Sequence, residues 1–130
     1  MKDNFFKKMI GDKGEDVACD YLESKKYKIK IRNYRKKWGE IDIIAEKERI
    51  THFVEVKTVS YETLNEINVQ NNDKHRPEDN VHPWKLKRLS RTIQSYLGEK
   101  EIKWQFDVIT VHLDLKNKKA KVNFLKDIII

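Results

Sequence analysis

The chain has 130 residues, and its 28 Lys and Arg against 21 Asp and Glu give a net charge of +7, so one domain with an anionic partner is expected, nucleic acid before a membrane surface. One cysteine, Cys19, excludes an intrachain disulfide and suits a reducing, cytoplasmic setting. No apolar run approaches the roughly 20 residues that span a bilayer, the N-terminus carries no signal-peptide pattern, and no Cys or His pair has zinc-site spacing; no membrane partner and no zinc finger are expected.

Asp12 to Lys26 is predicted as a helix, with Val17, Ala18, Tyr21 and Leu22 on one apolar face. Glu15 falls on that stripe; a first-turn acid is favoured by the helix dipole, so its place has an ordinary explanation beside a functional one. Tyr27 to Tyr34 then alternates as a strand, with Tyr27, Ile29 and Ile31 inward and Lys28, Lys30 and Arg32 outward. Between Lys25 and Lys37 lie eight basic residues and no acid. A solvated edge strand explains Lys25 and Lys28. Arg35, Lys36 and Lys37 lead straight into the next strand and read as a phosphate-contacting surface.

Gly39-Glu40-Ile41-Asp42-Ile43-Ile44 and Phe53-Val54-Glu55-Val56-Lys57 each alternate with period two, and the polar Glu46 to Arg49 between them can turn. A turn centred between Glu48 and Arg49 sets Asp42 opposite Glu55, where same-face Cβ atoms lie about 4.5–5.5 Å apart. Lys57 shares that face, and Ile41, Ile43, Val54 and Val56 take the other. Two adjacent carboxylates repel, and burial makes both harder to ionise. Mg²⁺, which is held by one or two carboxylates with water and phosphate, removes that conflict. On spacing alone an amphipathic hairpin with Glu55 and Lys57 in solvent explains the pattern equally well. The apolar density of both strands favours a covered, functional hairpin.

Residues 60–82 are polar and long for a connection, either a substrate flap or an insertion. Pro83 suits the first position of a helix whose apolar stripe is Leu86, Leu89, Ile93, Tyr96 and Leu97, with Gly98 as its stop. Lys85, Arg88 and Thr92 line one flank. Trp104 to Leu113 and Ala120 to Phe124 are predicted to form a second hairpin around Asn117-Lys118. Asp107 lies inside an apolar strand, where a structural hydrogen bond is at least as good an account as catalysis. The aromatic residues are better explained as core than as stacking platforms, and His52, His75, His82 and His112 as ordinary polar residues. The tail Ile128-Ile129-Ile130 calls for a covering surface, within the domain or in a homodimer.

Asp42 followed by Glu55-Val56-Lys57 resembles the PD-(D/E)XK nuclease signature. The whole chain resembles the bacterial YraN family of that superfamily, which is similar to archaeal Holliday-junction resolvases. The matching pieces are Gly11 to Glu15, Asn33-Tyr34-Arg35, Gly39 to Ile44, Phe53 to Lys57, Lys85 with Arg88-Leu89, Tyr96-Leu97 and Phe106 to Ile109. Val59 and Gln105 stand where relatives often carry Arg. The resemblance implies an α/β, restriction-endonuclease-like core with a mixed central sheet flanked by helices, one nuclease-like domain over residues 1–130. It implies metal-dependent hydrolysis of DNA phosphodiester bonds, branched or junction DNA included. Asp42 and Glu55, with the Val56 carbonyl, would ligate Mg²⁺ or Mn²⁺. Lys57 would orient water or stabilise charge, Glu15 would assist from the first helix, and Glu40 would stand behind Asp42. Lys85 and Arg88 would join Arg35, Lys36 and Lys37 on phosphate. The rival readings are a basic nucleic-acid-binding module without turnover and an assembly partner.

Overall fold

The structure, a computed structural model, describes residues 2–61 and 83–130. Its elements are α1 (Lys2–Ser24), β1 (Lys28–Lys36), β2 (Gly39–Lys47), β3 (Ile50–Tyr61), α2 (Pro83–Leu97), β4 (Lys103–Asp114) and β5 (Lys119–Leu125). Glu48 and Arg49 take left-handed φ angles of 53° and 68° and close a two-residue turn, the geometry whose twist matches that of the strands it joins. Lys47 therefore pairs with Ile50, and the ladder runs back to Ile43 opposite Val54, which is the register expected from a turn centred between Glu48 and Arg49.

The five strands lie in the order β1-β2-β3-β4-β5. β1, β2 and β3 meander antiparallel, β3 and β4 run parallel, and β4 and β5 form an antiparallel hairpin. A parallel pair needs a crossover, and α2 lies in that connection. One face of the sheet is covered by α1, through Ala18 and Leu22 against Ile43, Val54, Ile109 and Val111. The other is covered by α2, through Ile93 and Leu97 against Ile44, Phe53, Phe106 and Val108. The expected α/β fold, a mixed sheet flanked by helices, is the one observed. No helix among the described residues is long and apolar enough to cross a membrane.

Four local expectations are corrected. The first helix starts at Lys2, ten residues before Asp12; its first turns leave Phe5 68%, Phe6 48% and Met9 51% exposed, so no buried stripe announces them. Ile31, expected inward, is exposed, because a register shift between Ile29 and Ile31 moves it off the core face. Ile41 joins the α2-side core while Ile43 joins the α1-side core, so strict alternation breaks between them, at Asp42. Thr92, expected on a polar flank of the second helix, is fully buried. In the long polar stretch Ser60 and Tyr61 extend β3; its remainder, with His75 and His82, lies outside the described residues. The domain itself covers part of the tail: Ile128 packs on the α2-side core and its N–H donates to the Phe106 carbonyl at 2.7 Å, while Ile129 stays 95% exposed.

Two glycines set how closely the helices approach. At Gly39 an added Cβ would lie 2.6 Å from Thr92 Oγ1, so α2 sits directly on the start of β2. At Gly14 an added Cβ would overlap the Thr58 side chain, so α1 crosses β3 at close range. Ala gains roughly 1 kcal/mol over Gly in a helix interior, but overpacking costs about 1–3 kcal/mol. Gly14→Ala is therefore expected to lower the urea midpoint, and pairing it with Thr58→Ala to recover part of the loss. A raised midpoint in Gly14→Ala alone would show that α1 does not press on β3.

Candidate active site

The β2–β3 ladder stops at Ile43 and Val54. Continued in register it would set Asp42 opposite Glu55 and Ile41 opposite Val56. Instead the strands part, and Asp42 Oδ2 accepts the Val56 N–H at 2.7 Å. The carboxylate thus takes the place of a strand partner. In an extended strand the N–H and C=O of one residue point to the same side, so the Val56 carbonyl also faces the opening. Burial pushes the Asp42 carboxyl up from 3.8 to about 7, against the Val56 N–H, which favours the ionised form, and with the help of the Glu15, Glu55 and Glu40 carboxylates.

Glu15 reaches this neighbourhood because Gly14 brings α1 onto β3. Burial raises its carboxyl above the usual range, opposed by Arg32, whose guanidinium lies 3.7 Å away and also pairs with Asp16 at 2.9 Å. Asn33 adopts a left-handed φ of 55° within β1. With its amide nitrogen turned toward the acids, it donates to Glu15 Oε1 at 3.3 Å and Glu40 Oε1 at 2.9 Å. Asn33 therefore ties together two of the carboxylates that bear on Asp42. Sequence reasoning missed that role; the signals were the Asn33-Tyr34-Arg35 match and a residue type that tolerates left-handed backbone.

Glu55 pairs across the cleft with Lys85 of α2, Oε1 to Nζ 2.9 Å. Lys57 stands two residues on, beside Thr110 of β4 in the parallel register, with no hydrogen bond or ion pair to the other described residues. A cleft of about 410 Å³ opens here, its walls including Asp42, Glu55, Lys85, Arg88, Trp38 and Trp84. The structure thus brings Asp42, Val56 and Glu55 to one edge, with Glu15 acting electrostatically from α1.

Among the described residues no group of three His, Cys, Asp or Glu side chains is gathered as a metal cage. The donors at the opening are nonetheless of the right chemistry for Mg²⁺. Asp42 Oδ1 and Glu55 Oε2 have no hydrogen-bond partner among the described residues, and the Val56 carbonyl is a third hard oxygen. Mg²⁺ characteristically takes one or two carboxylates and fills its remaining positions with water and phosphate. Burial at Asp42 also leaves a carboxyl that an adjacent cation would ionise.

The basic residues are dispersed around this cleft. Arg35 is paired with Glu40 at 3.3 Å, Lys36 sits over the Tyr34 ring at 5.4 Å, and Lys37 is exposed at the β1–β2 turn. Arg88 stacks over Trp84 at 4.7 Å. The flank of α2 continues through Arg91, not Thr92: Arg91 lies 4.0 Å over the Trp38 ring, whereas Thr92 donates to the Arg88 carbonyl beneath the helix. Lys85, Arg88 and Arg91 recur every third residue, a spacing that the sequence displayed. The expectation that aromatics serve only the core is corrected at Trp84, which is 56% exposed on the cleft wall.

The buried Asp107 takes no part in lining the cleft. Its oxygens lie 2.7 Å from His52 Nδ1 and accept from Gln105 Nε2 at 2.8 Å and from the Asp127 N–H at 2.8 Å. It is a structural knot that fastens β3, β4 and the tail, and it gives Gln105 a function of its own.

A family model described as "Uncharacterised protein family UPF0102" matches residues 14–111, a span that holds Glu15, Asp42, Glu55, Lys57, Lys85 and Arg88. The chain is similar to the UPF0102 protein of Campylobacter lari, with 34% identity over 110 residues covering 82% of this chain and 86% of the relative. It is similar to that of Flavobacterium johnsoniae, with 36% identity covering 79% and 80%. It is also similar to that of Clostridium perfringens, with 34% identity over 125 residues covering 94% of each.

Proposed function

The chain belongs to the uncharacterised protein family UPF0102, the YraN family that its motifs resemble, and on that premise we propose that it is a metal-dependent endonuclease hydrolysing DNA phosphodiester bonds, those of branched DNA included. The observation that carries the reading is the parting of β2 from β3 at Asp42. It leaves the half-buried Asp42 carboxylate, which holds the Val56 N–H, on the wall of a cleft that also carries Glu55 and the basic Lys85 and Arg88. A structural hairpin has no use for such an opening, which forfeits ladder hydrogen bonds and buries an acid that would rather stay neutral.

Asp42, Glu55 and the Val56 carbonyl would hold Mg²⁺ or Mn²⁺. When bound, the ion supplies Lewis acidity toward the phosphate and a more acidic water. The rest falls to the chain's own groups. The Val56 N–H fixes the orientation of the Asp42 carboxylate. Lys57, with no acid partner among the described residues, donates to a non-bridging phosphate oxygen or orients the attacking water. Glu15 and Glu40, joined through Asn33, keep negative charge beside Asp42 and favour cation uptake. Lys85 neutralises Glu55 until DNA or a cation arrives. Arg35, Lys36, Lys37 and Arg88 hold the backbone on either side. The buried Cys19, its thiol pushed up by burial, fits a cytoplasmic protein that needs no disulfide.

The test is a cleavage screen of branched, single-stranded and duplex DNA in Mg²⁺, Mn²⁺ and EDTA. Metal-dependent strand cutting supports the reading. Tight, salt-sensitive binding with no cutting of any structure favours the basic binding module instead. Binding itself is expected to weaken steeply with salt, and Lys85→Ala and Arg88→Ala to flatten the log–log slope by about 0.9 for each duplex phosphate no longer neutralised. An unchanged slope would assign both cations to the solvated flank of α2.

A further inference from the structure

We infer that the cleft stacks an unpaired nucleobase on Trp84 and Trp38 beside the phosphate to be cut, so that its substrate class is DNA with a single-stranded segment at the site. The inference rests on the nuclease reading in taking DNA as the ligand of this cleft. A singly exposed aromatic is ordinary, and exposure alone would carry nothing. Here two indoles lie on the wall of the same cleft as Asp42 and Glu55, and Trp84 is 56% exposed. Each carries an arginine on one face, Arg88 on Trp84 at 4.7 Å and Arg91 on Trp38 at 4.0 Å. A guanidinium stacked on an indole orients the ring and lies flat against one of its faces.

The cations and the aromatics are also interleaved. Residues three and four apart on a helix are neighbours, so Trp84, Lys85, Arg88 and Arg91 form one surface of α2, and the β1–β2 turn brings Trp38 against it. A basic track alternating with aromatic rings is the arrangement by which single strands are held, the track following the backbone and the rings taking bases. Duplex DNA cannot use it in the same way, because its bases already stack on one another and must be unpaired before a ring can reach them. The cleft volume of about 410 Å³ lies within the usual range of small-ligand pockets. The indole N–H of Trp38 is buried with no hydrogen-bond partner among the described residues, a cost that an incoming acceptor would remove.

The experiment is equilibrium binding in EDTA, with a labelled single strand, a blunt duplex of the same length and a single strand carrying 2-aminopurine. Trp84→Ala is expected to weaken single-strand binding roughly 5- to 150-fold, the loss of one base–aromatic stack, and to change duplex binding by less than about twofold. Trp84→Phe should retain most of the affinity. The 2-aminopurine signal should be quenched by wild type and by Trp84→Phe, but not by Trp84→Ala. Equal losses on single strand and duplex, or no quenching by wild type, would overturn the inference. An insertion of Trp84 between duplex base pairs would show as the larger loss on duplex and would overturn it too. No metal is present in these measurements, so they are independent of cleavage. A wild type that quenches and discriminates but never cuts refutes the nuclease and keeps the stack. A wild type that cuts, with Trp84→Ala indistinguishable from it on both ligands, refutes the stack and keeps the nuclease.

Discussion

Glu55→Gln is expected to lose cleavage by at least about a hundredfold while binding DNA in EDTA as tightly as wild type or more tightly. The substitution keeps the shape of the side chain and removes one negative charge. With metal, an anionic ligand is gone and the cation is held too weakly to act. Without metal, the wild-type carboxylates repel phosphate, and Glu55 holds Lys85 at 2.9 Å. Neutralising Glu55 weakens that repulsion and releases Lys85 to the backbone, so both effects favour DNA. Lys57→Ala separates the two roles. Cleavage falls there too, but metal-free binding weakens, because a cation with no described acid partner is lost. One titration and one time course per variant, in EDTA and in Mg²⁺, decide the matter. Wild-type cleavage by Glu55→Gln would refute the assignment of this hairpin as the active centre.

The second large effect is on stability. The Asp42 carboxyl stands at about 7 in the folded protein against an ordinary 3.8. A carboxyl raised on folding contributes stability that is fully present below about pH 4 and is lost as the pH rises through 7. The shift is about three pH units at 1.36 kcal/mol each, a ceiling of roughly 4 kcal/mol between pH 4 and pH 8. Asn cannot ionise, and its amide oxygen can still accept the Val56 N–H. Metal-free Asp42→Asn is therefore expected to match wild type near pH 4 and to be the more stable of the two at pH 8, in urea unfolding. A variant less stable than wild type at pH 8 would show that Asp42 is not a strained acid. Added Mn²⁺ should stabilise wild type and not the variant, since a ligand that binds only the folded state raises its stability. That gain should grow as the pH rises through 7, because the cation must displace a proton from Asp42.

The parts of the site that local pattern controls were legible from the residues. Alternation and a polar turn gave the pairing of β2 with β3 as far as Ile43 and Val54, but not the parting of the strands at Asp42. Pro83 and Gly98 bound the second helix, whose Gly98 takes a left-handed φ of 57° and donates to the Gln94 carbonyl at 2.9 Å. Pairings between distant segments were not legible. The Glu55–Lys85 pair spans 30 residues, and the bridging of Glu15 and Glu40 by Asn33 depends on one backbone residue in a left-handed turn. The break in alternation at Asp42 was hidden because Ile41 and Ile43 are both apolar and both buried, so nothing in composition tells their faces apart. Trp84 was misjudged for a related reason: the hydropathy of an aromatic says that it prefers cover, not whether the fold provides it.

The sheet joins two local units through one distant seam. β1, β2 and β3 follow one another through short turns, as do β4 and β5, whereas the parallel register sets Ile50 beside Lys103. Pairings between residues far apart in sequence form slowly, because loop-closure entropy must be met before they reward it. Refolding is therefore expected to be limited by the docking of β4 onto β3, with the hairpin of Asp42 and Glu55 already paired in the transition state. Asp42 and Glu55 are carried early on neighbouring strands; the part of the cleft wall made by Trp84, Lys85 and Arg88 arrives with α2. A nascent chain that has emerged only as far as β3 would thus carry the acids without the α2 wall proposed to engage DNA, and the cleft would be assembled only once β4 has been made.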